Sequence, residues 1–272
     1  MNNKRVMTER IEALKVFFPA KKINIKLVGC GGTGSWLAPH VARLSRLMID
    51  TGKDVNIAFC DKDIVEEKNL YRQNFCPADV GRNKAEALAY RFSLTWGVQI
   101  KAEGDFTGGY SSDPTLYLGC VDNAHARRAI SDSVSNRNTA NWWIDCGNAR
   151  TTGQVFFGGG IQDNHVRKIA PEGFTTWVPL PDQQCPQLRD NEPVDLEQNS
   201  TNLSCAEMAM QSAQGLSINQ MMATIAADYL KCLLLTHDLD RMATYVSLEA
   251  GTMTSVYTAP CNLRIKRRRT KK

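Results

Sequence analysis

A glycine-rich turn lies between an apolar segment and a segment with helical spacing, close to residue 30. Residues 23–28 read INIKLV, residues 29–34 read GCGGTG, and residues 35–49 have the apolar spacing of a helix. A strand, a tight glycine turn and a helix in this order begin a dinucleotide-type βαβ fold. Such a turn presents unpaired backbone N–H groups and the positive end of a helix dipole to a phosphate. The sequence therefore predicts a nucleotide site here, without choosing between NAD, FAD, S-adenosylmethionine and ATP.

Three glycines of the turn and one acidic residue beyond it have separate roles in such a site. Gly29 permits the tight turn, Gly31 lets the backbone approach a phosphate, and Gly34 allows the helix to pack closely on the strand. Asp61 follows a second apolar segment, residues 54–60. A carboxylate at the end of this strand is placed to accept hydrogen bonds from ribose hydroxyl groups. The predicted site therefore has a phosphate-binding part and a ribose-binding part.

Strand-like and helical segments alternate along the first 160 residues. Because parallel strands need crossover connections, this alternation predicts an α/β fold with a doubly wound, Rossmann-like, mostly parallel sheet and helices on both faces. Strands are expected at residues 23–28, 54–60, 99–102, 115–121 and 142–146, and helices at residues 35–49, 84–95 and 124–134.

The rest of the chain has weaker patterns. A short helix is expected over residues 5–18, a strand over 153–160, a helix over 208–235 and a last pair of strands over 245–257. Residues 171–203 contain five prolines and little periodicity, which is typical of a disordered segment or a functional lid. We therefore expect a single domain made of an N-terminal helix (1–22), a nucleotide-binding core (23–160), a lid or crossover loop (171–203), a C-terminal helix with strands (204–258) and a basic tail (264–272).

The excess positive charge of the chain is concentrated in the tail. The formal net charge is +5, but residues 264–272 hold seven of the 33 basic groups and leave 26 against 28 acidic groups. A terminal run of charge is usually solvated, so nucleic-acid binding is not expected. The chain has no apolar run of eighteen residues, and its first nine residues lack the apolar core of a secretory signal. Neither a membrane span nor secretion is therefore expected.

Nine cysteines are scattered without any C-x-x-C pair. An odd number of cysteines without framework spacing is typical of a reducing cytoplasm and favours neither a disulfide scaffold nor a zinc site. We expect a cytoplasmic protein without structural zinc.

A second block of polar motifs indicates what the nucleotide is for. Asp63 follows Asp61 in a D-x-D pair, Arg72 lies in the motif NLYRQ at 69–73, and Lys84 lies in GRNKA at 81–85. An enzyme that transfers hydride has no use for so many charged groups at this position, but an enzyme that uses ATP does. An arginine and a lysine neutralise charge that develops at the α-phosphorus during nucleotidyl transfer. Asp122 follows the predicted fourth strand, where a carboxylate is able to hold Mg²⁺ against phosphate oxygens.

In this order the motifs resemble those of the ThiF/MoeB and ubiquitin-activating-enzyme superfamily. That family has a GxGGxG turn, a D-x-D strand end, N-L-x-R-Q, G-x-x-K-A and a later D-N, and all five occur here. Residues 147–155 (GNARTTGQV) are similar to a further family segment. The resemblance covers residues 23–157 strongly and the remainder weakly.

The resemblance implies a role for each matching residue. Gly29, Gly31, Gly32 and Gly34 surround the phosphate, Asp61 binds ribose, and Asp122 holds Mg²⁺. Asn69, Arg72 and Lys84 contact the phosphates, and Gln73 supports Arg72. Asp63 and Asn123 belong to the same nucleotide site. Two alternatives stay open, since Asp63 and Asn69 could merely cap turns and Gln73 could be only structural.

The resemblance also implies an activity and partners. The family uses ATP and Mg²⁺ to adenylate the C-terminal glycine of a small ubiquitin-like or sulfur-carrier protein, with release of pyrophosphate. Members lacking zinc-binding C-x-x-C pairs include the ThiF-family protein of the PRTRC plasmid cassette, which is the nearest match. Its setting implies a conjugating-enzyme-like partner, and the family implies a homodimer.

Many family members pass the activated carboxyl to a cysteine, which needs exposure and a lowered pKa. Cys205 precedes the helical spacing that begins near residue 208 and resembles the catalytic cysteine of ThiF-type members in position. Cys185 lies within the predicted lid and is the second candidate. A third possibility is that the enzyme stops at the adenylate and uses no cysteine.

Two other classes of function compete with adenylation. A NAD- or FAD-dependent oxidoreductase accounts for the glycine turn and Asp61, but it leaves Arg72, Lys84 and Asp122 unexplained. A non-catalytic Rossmann-fold adaptor would bind a partner through residues 171–203 and the tail, but it has no chemical need of those three side chains.

Overall fold

The computed structural model describes residues 3–109, 111–135, 139–161, 168–189 and 215–264. Helices in these ranges are α1 (Asn3–Ile11), α2 (Gly32–Asp50), α3 (Lys84–Trp96), α4 (Ala124–Val134) and α5 (Leu216–Leu234). Strands are β1 (Lys15–Val16), β2 (Lys22–Val28), β3 (Asp54–Cys60), β4 (Ile100–Glu103), β5 (Thr115–Gly119), β6 (Trp142–Asn148), β7 (Thr152–Gly160), β8 (Phe174–Thr175), β9 (Trp177–Val178), β10 (Arg241–Ser247) and β11 (Thr252–Tyr257). None of these helices is long and apolar enough to cross a membrane.

One large sheet forms the centre of the described structure. Its strands lie side by side in the order β4-β3-β2-β5-β6-β7-β10-β11, and β9 also pairs with β7. The pairings from β4 to β6 are parallel, whereas β7, β10, β11 and β9 pair antiparallel. From β2 the chain moves outward through β3 to β4 and then returns to place β5 on the other side of β2. In open α/β sheets such a reversal creates a crevice at the carboxyl ends of the two central strands.

Helices cover both faces of this sheet. On one face α2, α3 and α5 pack over a core that includes Leu27, Phe59 and Tyr229. On the other face α4 covers a smaller core with Tyr117 and Trp143. The alternation of inward side chains along β2 follows from its sequence, in which apolar residues at every second position face the larger core. The prediction of a doubly wound α/β fold with a parallel centre is confirmed.

The first helix is shorter than the sequence pattern predicts. It ends at Ile11, not at residue 18, because Val16 enters a two-stranded parallel sheet with Thr175. Backbone N–H groups there also donate to distant carbonyls, such as that of Val16 to Leu239 at 2.8 Å. These long-range hydrogen bonds outweigh the local helical spacing.

The predicted lid is partly structured. Between residues 171 and 189 the chain forms β8, β9 and two helical turns, Pro181–Gln184 and Pro186–Arg189. Disorder, one of the two alternatives predicted for residues 171–203, is wrong for this part, since its backbone pairs with β1 and β7. The role as a lid stays a prediction. Residues 190–203 and most of the tail at 264–272 lie outside the described residues. The first part of the predicted helix over 208–235 does too, and α5 is described from Leu216.

Candidate nucleotide-binding site

The glycine turn lies at the carboxyl ends of the central parallel strands. The N–H of Gly29 donates to the carbonyl of Cys60 at 2.9 Å, which joins the turn to the end of β3. Gly29 has a φ of +89°, and a Cβ there would lie 2.6 Å from the carbonyl oxygen of Cys120. A Cβ on Gly34 would lie only 1.9 Å from the carbonyl oxygen of Gly29. Both positions therefore require glycine, as the turn and the close packing of α2 predict.

The middle of the turn is open toward one side. The nearest atom to a Cβ on Gly31 would be Nε2 of Gln73, at 4.0 Å. Helix α2 begins at Gly32 and continues for 19 residues, so its first N–H groups and its dipole face this opening. A Cβ on Gly32 would instead lie 2.8 Å from Oδ1 of Asn219. The half-buried backbone at Gly31 and the start of α2 provide the geometry that an anionic phosphate needs.

Asp61 is bound to the glycine turn by hydrogen bonds. Its Oδ2 accepts from the N–H of Cys30 at 2.6 Å, and its Oδ1 accepts from the N–H of Asp63 at 2.9 Å. Burial raises the pKa of the Asp61 carboxyl above its ordinary value, and these two hydrogen bonds act in the opposite direction. The carboxylate therefore fixes the turn relative to β3. Its binding of ribose stays a prediction.

Asp63 and Lys84 form an ion pair beside this turn. Nζ of Lys84 lies 3.1 Å from Oδ2 of Asp63, and the lysine is only 8% exposed. The two backbones are also joined, because the N–H of Lys84 donates to the carbonyl of Asp63 at 2.9 Å. Asn83 caps α3 and donates to the carbonyl of Asp61 at 2.8 Å. Two separate motifs of the sequence, D-x-D and G-x-x-K-A, are thereby brought together.

The segment with Asn69, Arg72 and Gln73 forms the wall next to the turn. Asn69 is buried, and its Oδ1 accepts from the N–H of Glu66 at 2.9 Å, so it caps a turn. Gln73 is buried beside Gly31, and its Oε1 has no hydrogen-bond partner among the described residues. The carbonyl of Arg72 accepts from Nε1 of Trp36 at 3.1 Å. Within the described ranges, no ion pair or hydrogen bond engages the Arg72 guanidinium.

Ser35 and Asn74 lock this wall onto α2, and the sequence patterns did not single them out. Oγ of Ser35 accepts from the N–H of Asn74 at 2.9 Å and donates to the carbonyl of Gly32 at 3.1 Å. Nη1 of Arg91 donates to the carbonyl of Asn74 at 2.8 Å, from α3. The position of Asn74 directly after the motif NLYRQ is a sequence signal that points to this residue. Its hydrogen-bond partner, Ser35, lies 39 positions away in the chain, and no local pattern indicates the contact.

Asp122 and Asn123 occupy the far side of the crevice, after β5. The strand ends at Gly119, two residues earlier than predicted, and Asp122 is exposed. Oδ1 of Asn123 accepts from the N–H of Ala126 at 2.8 Å, which makes Asn123 the N-cap of α4. Asn123 thus has a structural role in the described residues, and its binding of nucleotide stays a prediction.

A buried ion pair fixes α4 to the sheet. Nε of Arg127 lies 3.1 Å from Oδ1 of Asp145 on β6, and the aspartate is fully buried. Burial raises the pKa of Asp145 to about 6, although the Arg127 guanidinium opposes this rise. Oδ2 of Asp145 has no hydrogen-bond partner among the described residues. The start of α4, where Asp122 and Asn123 lie, is held in place by this pair.

The residues present fit a magnesium ion bound together with a phosphate. The described ranges contain no group of three or more His, Cys, Asp or Glu side chains that could hold a metal. Magnesium is usually bound by one or two carboxylates together with water and substrate phosphate oxygens. The exposed Asp122, across the crevice from the glycine turn, is a suitable carboxylate for that arrangement.

The predicted nucleophile, Cys205, lies outside the described residues. Cys185 is half-buried after the turn Pro181–Gln184, with its Sγ 3.3 Å from Oε1 of Gln187. Burial raises the pKa of Cys30 well above its ordinary value and that of Cys60 to about 12. These two buried thiols are poor nucleophiles.

Together the fold and the site define a Rossmann-like α/β protein with a glycine-lined crevice at the switch point of its sheet. The chain belongs to the ThiF family, whose model matches residues 19–266. It is 29% identical over 153 residues to ubiquitin-like modifier-activating enzyme 5 of Drosophila virilis and, over the same length, to that of Culex quinquefasciatus. Each alignment covers 50% of this chain and 36% of the relative.

Solved structures show the same fold at lower sequence identity. PaaA aligns with a TM-score of 0.51 and 20% identity, over 88% of this chain and 64% of its own. Escherichia coli MccB, solved with AMPCPP and MccA, also has a TM-score of 0.51, at 14% identity over 97% of this chain and 70% of its own. At these identities the likeness shows the fold alone.

Proposed function

We propose that this protein adenylates the C-terminal carboxylate of a small protein or peptide with ATP. The observation that supports this most is the pair of cationic side chains, Lys84 and Arg72, on the two segments that flank the open glycine turn. A redox dinucleotide needs neither of them. ATP does, because charge develops on its phosphates during nucleotidyl transfer.

The reaction is a displacement at phosphorus. A carboxylate oxygen of the substrate attacks the α-phosphorus of ATP, the bond to the bridging β-phosphate oxygen breaks, and pyrophosphate leaves. The backbone at Gly31 and the first turn of α2 bind phosphate oxygens. Lys84 and Arg72 stabilise the added negative charge, and Asp61 keeps the turn in its shape through Cys30.

Magnesium, held by Asp122, would neutralise part of the phosphate charge. Arg127 and Asp145 keep Asp122 opposite the turn, because they fix the first turns of α4 to β6. Asn123 contributes by capping the same helix.

The substrate we propose is a ubiquitin-like or sulfur-carrier protein that ends in glycine. Relatives named as ubiquitin-like modifier-activating enzymes support this class. A PRTRC-type gene setting, a conjugating-enzyme-like partner, a homodimer and a cytoplasmic location belong to the same proposal.

A second step is proposed at Cys205. Its thiolate attacks the acyl carbon of the adenylate, a thioester forms, and AMP leaves with the electron pair of the broken C–O bond. Cys205→Ala should abolish a thiol-sensitive adduct with the small protein and leave pyrophosphate exchange intact. An adduct that survives in Cys205→Ala but disappears in Cys185→Ala would move the nucleophile to Cys185. If the wild type catalyses pyrophosphate exchange but forms no thiol-sensitive adduct, the reaction ends at the adenylate.

Label transfer tests the first step directly. A small protein ending in Gly-Gly, encoded beside this gene, is incubated with the enzyme and ATP labelled at either the α- or the γ-phosphate. Adenylation transfers the α label and not the γ label to the small protein. Transfer of the γ label would indicate a kinase. A flavin or nicotinamide spectrum in the purified protein, without any transfer, would favour the oxidoreductase, and neither spectrum nor transfer would favour the adaptor.

A further inference from the structure

Asn219, on the first turns of α5, lies directly against the glycine turn. A Cβ on Gly32 would be 2.8 Å from its Oδ1 and 2.9 Å from its Nδ2. Asn219 is only 5% exposed, although it is a polar residue and has no charged partner in the part of the chain that the structure describes. Farther along α5, Met222 packs against Gly153 and fills the space that a side chain there would need. This packing fixes the position of α5 and therefore holds the side-chain amide of Asn219 at the glycine turn.

The hydrogen bonds of this amide are incomplete. Oγ1 of Thr33 lies 3.1 Å from Oδ1 of Asn148 and 3.3 Å from Oδ1 of Asn219. A threonine hydroxyl has one hydrogen to donate, so it satisfies one of these two oxygens at a time. The NH₂ group of Asn219 has no acceptor among the described residues. The side chain is largely buried, so few water molecules reach this NH₂ group, and it is free to donate to an oxygen of a ligand.

The surroundings of Asn219 indicate which kind of group would accept a hydrogen bond from its NH₂. The amide adjoins the turn that binds phosphate and lies between Thr33 at the start of α2 and Asn148 at the end of β6. A neutral N–H donor held by packing stabilises an oxygen that carries negative charge without adding a cation of its own. A negatively charged oxygen of the reactants would complete the hydrogen bonds of Asn219.

We infer that Asn219 is a binding residue for the reacting acyl-phosphate group, and that its amide N–H donates to an anionic oxygen of the α-phosphate or of the substrate carboxylate. This inference rests on the proposed adenylation. It makes α5 a further element of the site, beside the glycine turn and the two segments that carry Arg72 and Lys84.

Two probes distinguish the two oxygens. MgATP carries the α-phosphate, and glycyl-sulfamoyladenosine mimics the adenylate of a C-terminal glycine. Their dissociation constants are measured by calorimetry for the full-length wild type, Asn219→Ala, Asn219→Asp and the control Thr224→Ala. Thr224 is exposed on the same helix, and among the described residues its hydroxyl bonds only to the carbonyl of Gln220.

We expect Asn219→Ala to weaken binding of glycyl-sulfamoyladenosine by about tenfold, the usual effect of one hydrogen bond to a charged group. Asn219→Asp should weaken it further, because a carboxylate there repels the anionic oxygen. If Asn219→Ala loses as much affinity for MgATP as for glycyl-sulfamoyladenosine, the hydrogen bond goes to the α-phosphate. If it loses affinity for glycyl-sulfamoyladenosine alone, the bond goes to the acyl oxygen.

Wild-type affinity for both probes in the two variants, with unchanged melting temperatures, would overturn the inference. So would variants that lose only thermal stability while keeping both affinities. If the wild type itself binds neither probe, the proposed function fails, and this outcome is distinct from a failure of Asn219 alone.

Discussion

Replacing Lys84 by methionine should remove a charge from the site and leave the fold intact. Methionine keeps most of the apolar stem that α3 buries, so packing is largely retained. The ion pair with Asp63 is lost, but the Asp63 side chain is 57% exposed and stays hydrated. We therefore expect a cost of about 1 kcal/mol or less in unfolding free energy, or about 2–4 °C in Tm for a chain of this size.

The effect on nucleotide binding should be larger. A charge-assisted hydrogen bond to phosphate is worth about 1.5–3 kcal/mol, which corresponds to about 10- to 150-fold in Kd. Lys84→Met should therefore raise the Kd for MgATP by that factor. The matched control is Lys68→Met, which removes a 66% exposed lysine paired with Glu66 in the neighbouring turn and should leave Kd unchanged.

Calorimetric titration with MgATP and thermal melting of the same samples test this prediction together. If Lys84→Met binds MgATP as tightly as the wild type, Lys84 serves only its ion pair with Asp63 and the phosphate role is wrong. If Lys68→Met loses affinity to the same extent, the effect is a general one of net charge.

Two more perturbations address the framework of the site. Gly34→Ala places a Cβ 1.9 Å from the carbonyl oxygen of Gly29. Because overpacking costs about 1–3 kcal/mol, this variant should have a Tm several degrees below that of the wild type. The control is Gly104→Ala, whose added Cβ would have no atom within 4 Å and should leave Tm unchanged. Equal melting temperatures of the two variants would refute the packing argument. Because burial raises the pKa of Asp145 to about 6, the stability that it contributes is present below about pH 4 and is lost as the pH rises through 6. Asp145→Asn should flatten the dependence of Tm on pH between 4 and 7, and an unchanged slope there would exclude Asp145 as its source.

Local patterns were sufficient to predict the parallel half of the sheet. The glycine turn with its apolar strand, and the capped helix at Lys84, depend on residues close in sequence, so their periodicity carries the information. In the antiparallel part, β6 and β7 form a local hairpin and so do β10 and β11, but β10 pairs with β7 across a large separation in sequence, which local patterns do not reveal. The strand at Lys15–Val16 shows the same limit, because the hydrogen bonds that stop α1 come from residues far along the chain.

The candidate site divides in the same way. Asp61, Asp63 and Lys84 were named from motifs, and the structure brings them together. Asn219 lies 186 positions from Thr33, and nothing in either segment indicates their contact. Asn69 and Asn123 show that one residue type is compatible with two roles. Both are predicted to lie in the nucleotide site, and the structure shows each as part of a cap, Asn69 at the end of a helical turn and Asn123 before α4. A cap does not exclude contact with a nucleotide, so that role stays a prediction.

The most direct test of the account is ATP–pyrophosphate exchange with a small protein ending in Gly-Gly as the acceptor. The wild type should catalyse exchange, and Asp122→Ala should lower the rate by about 100-fold or more. The control Asp132→Ala removes a carboxylate of α4 that is 74% exposed and should exchange as fast as the wild type. Exchange at the wild-type rate in Asp122→Ala would contradict its role with magnesium. No exchange by the wild type, with a folded enzyme and an intact acceptor, would contradict adenylation of this substrate.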